Sequence, residues 1–348
     1  MSIKGAIKIV KVEASEWSAC LSKYNYSLFL SPQWIESVSD NNHHPLYLDF
    51  IQGDKVVAKI SGLICKESRL KGRQLYFYAA PAFLSDTIHL FDACYQALRQ
   101  WAIEKHFSRV IIASYDQQTV KQCGVKGFYL NLRYEYVVDF KSNGGPGKFA
   151  TGFKKNYKKA QKLGATFHLD NQNGGLNRLL ELLGITKDLR TNKYGCSYNP
   201  FYLKNMNAES LRRLVESGAG KLYCACVDDK VCSVQLNIEC DKKSYGLLMG
   251  SDDSAYKNGL PSFVDYNLIE QYQIMGFNYY NPGGGPTDAG GSGIEQYKKA
   301  MGAQKFIFTG ATTNFLVYPQ KLLNPLLFIG RRLPTSEKGI IGFLKKLV

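Results

Sequence analysis

Apolar and polar positions alternate in the same way in two distant parts of this chain. Residues 47–64, YLDFIQGDKVVAKISGLI, read as strand, turn at Gly53-Asp54-Lys55, strand; residues 223–240, YCACVDDKVCSVQLNIEC, repeat that shape around Asp228-Asp229-Lys230. Turn-forming residues between strand-like runs predict hairpins. In the second copy Cys224, Cys226, Cys232 and Cys240 share even positions with Val234, Leu236 and Ile238, which places the thiols on the apolar face. Ser233, Gln235, Asn237 and Glu239 form the polar face of its second strand.

After each hairpin the period lengthens to that of a helix. Leu90, Cys94, Leu98 and Trp101 precede the strand Val110-Ile111-Ile112, and Phe263, Tyr266, Leu268-Ile269 and Tyr272 precede a strand over 277–280. Two copies of hairpin, helix, strand predict an α+β fold with two similarly built domains. Gly-Gly-Pro-Gly at 144–147 suits neither helix nor strand and marks the boundary, giving a first domain at 1–143 and a second at 144–311. The lysine-rich piece over 153–163 reads as a helix closed by Gly164, opening the second domain. Residues 312–348 supply a last strand and a basic, partly apolar tail, which suits packing back on the body or touching a membrane surface.

Charge narrows the partners. The 348 residues hold 44 Lys+Arg against 29 Asp+Glu, a net +15, which favours RNA, the phosphates of nucleotides or CoA, or an anionic membrane face. In FKKNYKKAQK, Lys154, Lys155, Lys158, Lys159 and Lys162 share one broad helical face with no acid to relieve their repulsion, so a polyanion is expected there. No apolar run is long enough to span a bilayer, and the first residues lack the apolar stretch of a signal peptide, so a cytoplasmic location is expected. The nine cysteines contain no CxxC pair and read as buried, reduced thiols. His43-His44 falls in what reads as a polar loop, and no metal site is expected.

Residues 280–302, YNPGGGPTDAGGSGIEQYKKAMG, crowd glycines ahead of paired lysines. The stretch is no P-loop, and the GxGxxG registers from Gly283 and Gly291 end on Asp288 and Gln296. It reads instead as a flexible rim ahead of the lysines.

Gly250-Ser251 as a turn, Tyr256-Lys257, Pro261, Gly283-Gly284-Gly285, and Tyr297-Lys298 with Gly302 resemble the second domain of the FemAB-type, FemX-like peptidoglycan aminoacyltransferases of the GNAT superfamily. SPQWIESV (31–38) is similar to that family's early first-domain motif. The resemblance implies tandem GNAT-like domains, each a mixed twisted sheet flanked by helices, and N-acyl transfer without a tightly bound cofactor. Acyl-CoA or aminoacyl-tRNA would be the co-substrate. The acceptor would be an amine of an anionic or lipid-linked envelope precursor, a peptidoglycan stem peptide or amino sugar, met at the inner face of the membrane. Amine attack on a carbonyl builds an oxyanion that an ammonium stabilises, and Lys298 suits that role, with Lys299 as a surface lysine. Tyr256 would relay a proton. Asp116, ending VIIASYD, would orient or deprotonate the amine. Lys257, Ser251, Gly284, Gly285, Lys154, Lys155 and Lys158 would bind substrate. The alternative is a non-catalytic protein that binds RNA or a membrane surface through its charge.

Overall fold

The computed structural model describes residues 6–141, 147–170, 173–194, 199–286 and 292–333. The expected 144–147 boundary apart from Gly147, the middle of the glycine-rich stretch at 287–291 and the basic end at 334–348 lie outside these residues. The chain groups into two compact units, Met1–Leu132 with Phe308–Val348, and Arg133–Ile307.

The first unit contains β1 (Lys8–Lys11), α1 (Ala14–Ser18), α2 (Pro32–Ser37), β2 (His43–Gln52), β3 (Lys55–Lys66), β4 (Arg73–Phe77), β5 (Ala82–Phe83), α3 (Phe91–Glu104) and β6 (Arg109–Ile112). Strands β1 to β4 pair antiparallel in turn, and β6 then lies parallel to β4. His43 and His44 open β2 rather than sitting in a loop. The chain passes into the second unit within β7 (Phe128–Asp139).

The second unit continues with α4 (Thr151–Lys162), β8 (Thr166–Asp170), α5 (Asn173–Tyr194), α6 (Ala208–Glu216), β9 (Gly220–Val227), β10 (Lys230–Cys240) and β11 (Lys243–Ser251). Then come α7 (Asp253–Asn258), α8 (Leu260–Ile274), β12 (Tyr279–Asn281), β13 (Gly284–Pro286) and α9 (Ser292–Ala300). Within β14 (Gln304–Thr313) the chain returns to the first unit, which ends in α10 (Asn324–Arg332). The last strand therefore lies earlier than the sequence suggests.

Both units repeat one order: antiparallel strands, a helix, and a strand parallel to the last of them. Each hairpin is there, but a further strand, β4 or β11, stands between hairpin and helix. Asp228 and Asp229 (φ 49° and 58°) and Asp241 and Lys242 (φ 48° and 59°) form two-residue turns with both residues left-handed, the twist that β-hairpins accept best. Gly250-Ser251, expected as a turn, ends β11.

Cys224 and Cys226 of β9 are buried as the parity requires, Cys224 opposite Val234 of β10, and Cys240 is half-buried; the register slips between Val231 and Ser233, and Cys232 is buried with Tyr223 and Ala225 instead. Burial pushes the Cys224 thiol up to about 12. Ser233, Gln235 and Asn237 on the polar face are buried too. Asn237 Nδ2 there donates to Tyr272 Oη of α8 at 2.8 Å. Buried polar groups persist only where bonded, so this face became a network. In α4, Phe153 and Ala160 point inward and the five lysines outward. Gly164 (φ 72°) ends that helix.

Candidate active site

Strands β11 and β12 pair over Lys243↔Tyr279, Ser244↔Tyr280 and Tyr245↔Asn281 and then part. β11 continues along β10, while the chain beyond β12 turns away from β11 and keeps to β7, which β12 already pairs, with Gly284 opposite Glu135. Glycine permits that turn: Gly283 has φ 75°, and a Cβ on Gly284 would overlap the Tyr134 carbonyl. Gly283 and Gly284 are thus fixed by close backbone approach, not a flexible rim.

At the parting lies a cavity of about 530 Å³ within the second unit. Residues 246–249 of β11 form one wall, Tyr280 and 282–284 another, and Tyr256, Tyr297 and Lys298 close it. Gly246 keeps the floor open, because a Cβ there would stand 3.0 Å from Tyr280 Oη. The β10–β11 register slips between Leu236 and Asn237, so Leu247 bulges out of the ladder. Its carbonyl accepts instead from Tyr202 Oη at 3.2 Å.

Lys298, on α9, reaches into this space and donates from Nζ to Gly283 O at 2.9 Å. The ammonium also stands 5.6 Å from the Tyr136 ring centroid. Burial lowers its pKa from 10.5 to about 8, with nearby Glu135 and Asp265 holding it up and Arg133 lowering it further. Lys299 points out and pairs with Glu295 at 2.8 Å.

Sequence reasoning missed the carboxylate of this cavity. Asp265, buried on α8, accepts from Tyr280 Oη at 2.9 Å and from Tyr297 Oη at 2.7 Å. Burial raises its pKa against the lowering effect of both phenols. Tyr280 Oη in turn accepts from Gln235 Nε2 at 2.5 Å, and Gln235 also bonds Asn237 Oδ1 at 3.0 Å. Gln235 Oε1, buried on a residue that lines the cavity, has no protein partner. The one available signal was an acid in line with Leu268, Ile269 and Tyr272 at i+3, i+4 and i+7, on the apolar stripe of its helix. Glu135, fully buried, is held by Asn281 Nδ2 at 2.9 Å and Arg133 Nε at 3.3 Å.

Of the residues expected in the site, Lys298, Tyr256 and Gly284 line the cavity. Tyr256 stands at its rim, 56% exposed. Gly285 neighbours it on β13. Ser251 does not line it: the residue is buried and its Oγ lies 2.7 Å from Ser233 Oγ. Asp116 lies in the first unit, where its buried Oδ2 accepts from the Leu28 N–H at 2.9 Å, so its carboxylate is committed to the fold. Lys154, Lys155, Lys158 and Lys257 are exposed. They are nonetheless close to the cavity, because Asn156 of α4 lines it and Lys159 Nζ donates to Lys257 O at 2.7 Å. In the first unit His43, Cys65 and Glu67 bring ligand atoms within 4.8 Å of one another, and Asp40 Oδ1 already holds His43 Nδ1 at 2.9 Å.

Residues 147–299 match the family described as acetyltransferase (GNAT) domain, a span that holds every residue lining the cavity but Met301. No curated protein matches the sequence. Among solved structures, FemX aligns over 91% of this chain and 98% of its own at 14% identity and TM-score 0.65. The C-terminal domain of a putative lysylphosphatidylglycerol synthetase from Agrobacterium fabrum aligns over 90% and 96%, at 13% identity and TM-score 0.56. L-PGS from Bacillus licheniformis aligns over 90% and 94%, at 15% identity and TM-score 0.55.

Residues 147–299 thus carry an acyltransferase domain of GNAT type, and the chain is built as α+β units with mixed sheets flanked by helices. The fold of the chain is similar to that of FemX. Among the described residues no helix is long and apolar enough to cross a membrane.

Proposed function

We propose that the second unit transfers an acyl or aminoacyl group from a thioester or ester donor, acyl-CoA or aminoacyl-tRNA, to an amine of a cell-envelope precursor. The observation that carries this reading is the Lys298 ammonium standing in the cavity where β11 and β12 part. Beyond Tyr245 the β11 edge has no β12 partner. Its peptide groups can therefore pair with an extended donor as an added strand would. The amine nitrogen then attacks the donor carbonyl, a C–N bond forms, and the C–S or C–O bond breaks as the amine loses its proton. Lys298 stabilises the oxyanion formed in between. Tyr256, at the rim, relays that proton, giving its own to the leaving sulfur or oxygen and taking up the one the amine loses. Gln235 Oε1 is an acceptor for an N–H of the bound amine.

Asp265 is a positioning residue: it fixes Tyr280 and Tyr297 and helps keep Lys298 charged. It supplies within the cavity the carboxylate that the sequence suggested at Asp116. Lys154, Lys155, Lys158 and Lys257 hold phosphates of donor or acceptor along the rim. An acceptor carried on a lipid would bring the enzyme to the inner face of the membrane, and the similarity to lysylphosphatidylglycerol synthetases is in keeping with such an acceptor.

A thermal-shift screen with CoA thioesters, charged tRNA and nucleotide-linked muropeptide or amino sugar identifies the substrates, since a ligand of the native state raises Tm. The hits are then combined and amide product is sought by mass spectrometry. Absence of product with every donor and acceptor overturns the reading. If Lys298→Met binds as wild type does and wild type forms no product, the chain is a polyanion-binding protein instead.

A further inference from the structure

Helix α10 is apolar on two sides, and only one of them is covered. Leu327, fully buried, packs with Phe315, Leu323 and Leu326, and Asn324 pins the helix start through Phe315 N at 2.9 Å and Phe315 O at 3.0 Å. Pro325, Phe328, Ile329 and Arg332 follow one another at i, i+3, i+4 and i+7, the spacing of a single helical face, and all are exposed. Phe328 is 48% exposed and Ile329 47%, and Leu322 and Tyr318 in the preceding turns are 69% exposed each. An apolar face so arranged on a docked helix marks a contact surface.

Its charge names the partner. The Arg332 guanidinium stacks on the Phe328 ring at 3.9 Å, and Lys321 Nζ stands 5.5 Å from the Tyr318 ring, so each exposed aromatic carries a cation at its side. Between Glu295 and Glu337 the sequence contains no acid. Rings at acyl-chain depth with cations at headgroup level form the arrangement of a helix lying in a membrane interface. A run of chain with basic residues and no acid suits anionic headgroups.

We infer that α10 docks the enzyme on an anionic phospholipid surface, inserting Leu322, Phe328 and Ile329 while Lys321 and Arg332 meet lipid phosphates. Inward-facing Leu327 anchors the helix to the first unit, so the enzyme is tethered through it. This deepens the proposed function by locating it where a lipid-carried acceptor would be met, and for that acceptor alone it rests on that reading.

The test is sedimentation of the full chain with sucrose-loaded vesicles of phosphatidylcholine, with and without phosphatidylglycerol. Binding is expected on the phosphatidylglycerol vesicles and should weaken with added salt. Phe328→Glu with Ile329→Glu should lower partition by about tenfold or more, at unchanged Tm because both side chains are exposed. Should that pair fail to fold, Phe328→Trp is used with brominated phosphatidylglycerol, which must quench its emission beyond that of the native tryptophans. No partition, or partition that the paired substitution leaves intact, overturns the proposal. So does a wild-type dimer that the same substitutions turn into monomer without any vesicle binding, since the occupant is then a second copy. Vesicle partition needs no turnover, so its failure is separate from failure of the transferase reading.

Discussion

Replacing Lys298 by Met removes the ammonium while keeping most of the aliphatic stem, and the structure fixes the sign of two effects. Burial holds the pKa at about 8 against the ordinary 10.5. At about 1.4 kcal/mol per pH unit, that difference is an opposition of about 3 kcal/mol to the charged form in the folded chain. The carbonyl of Gly283 loses one donor but keeps the Tyr136 N–H at 3.2 Å. With a hydrogen bond worth about 1 kcal/mol lost, the variant should be more stable than wild type by about 1–2 kcal/mol at neutral pH. Transfer should meanwhile fall about 10²–10³-fold, as when an oxyanion donor is removed. Urea unfolding and a mass-spectrometric assay of the amide product measure the two together. The pH dependence gives a further check. Because the folded pKa is below the unfolded one, the unfolded chain binds more protons between about 8 and 10.5. Wild-type stability should therefore climb through that window and decline as pH falls through 8, a slope that Lys298→Met lacks. A variant that is less stable and still active would refute the reasoning and make Lys298 a structural residue.

Wild-type turnover should decline as pH rises through about 8, where the Lys298 ammonium is lost. Asp265→Asn removes a charge that holds this pKa up, so the alkaline limb of the pH–rate profile should move to lower pH, whereas a purely structural role would leave its position alone. Gly284→Ala should cost about 3 kcal/mol or more, read from the urea midpoint, because its Cβ overlaps the Tyr134 carbonyl. Gly285→Ala, whose Cβ would find Tyr134 Oη at 3.7 Å, should cost about 1 kcal/mol or less. Lys59→Met strands the buried carboxylate of Asp49, its partner at 2.8 Å, and should lose about 3–5 kcal/mol in the same measurement.

What could be read from the chain depended on whether the signal was local. The hairpins were legible because side chains along a strand alternate whatever surrounds them, and the lysine helix because its spacing and terminal glycine lie within a dozen residues. β11 carries no such alternation: Tyr245, Leu247 and Leu248 are buried together, and the bulge at Leu247 breaks the period. The polar face of β10 was visible as a pattern, but its burial was not, since α8 covers it from far along the chain. Asp265 illustrates the same limit, because only phenols from β12 and α9 distinguish it from a solvated acid.

The glycines complete this distinction. In the sequence they suggested freedom, and in the fold three of them answer close approach: Gly246 beside Tyr280, Gly283 beside Tyr245, and Gly284 against Tyr134. By letting the chain follow β7 beyond β12, Gly283 and Gly284 separate it from β11, and the separation is the cavity itself. The carbonyl of Gly283 then fixes the Lys298 ammonium within it. Cavity and ammonium are thus two consequences of one divergence between strands, and the site is built on sheet edges, where orientation is precise enough for oxyanion stabilisation.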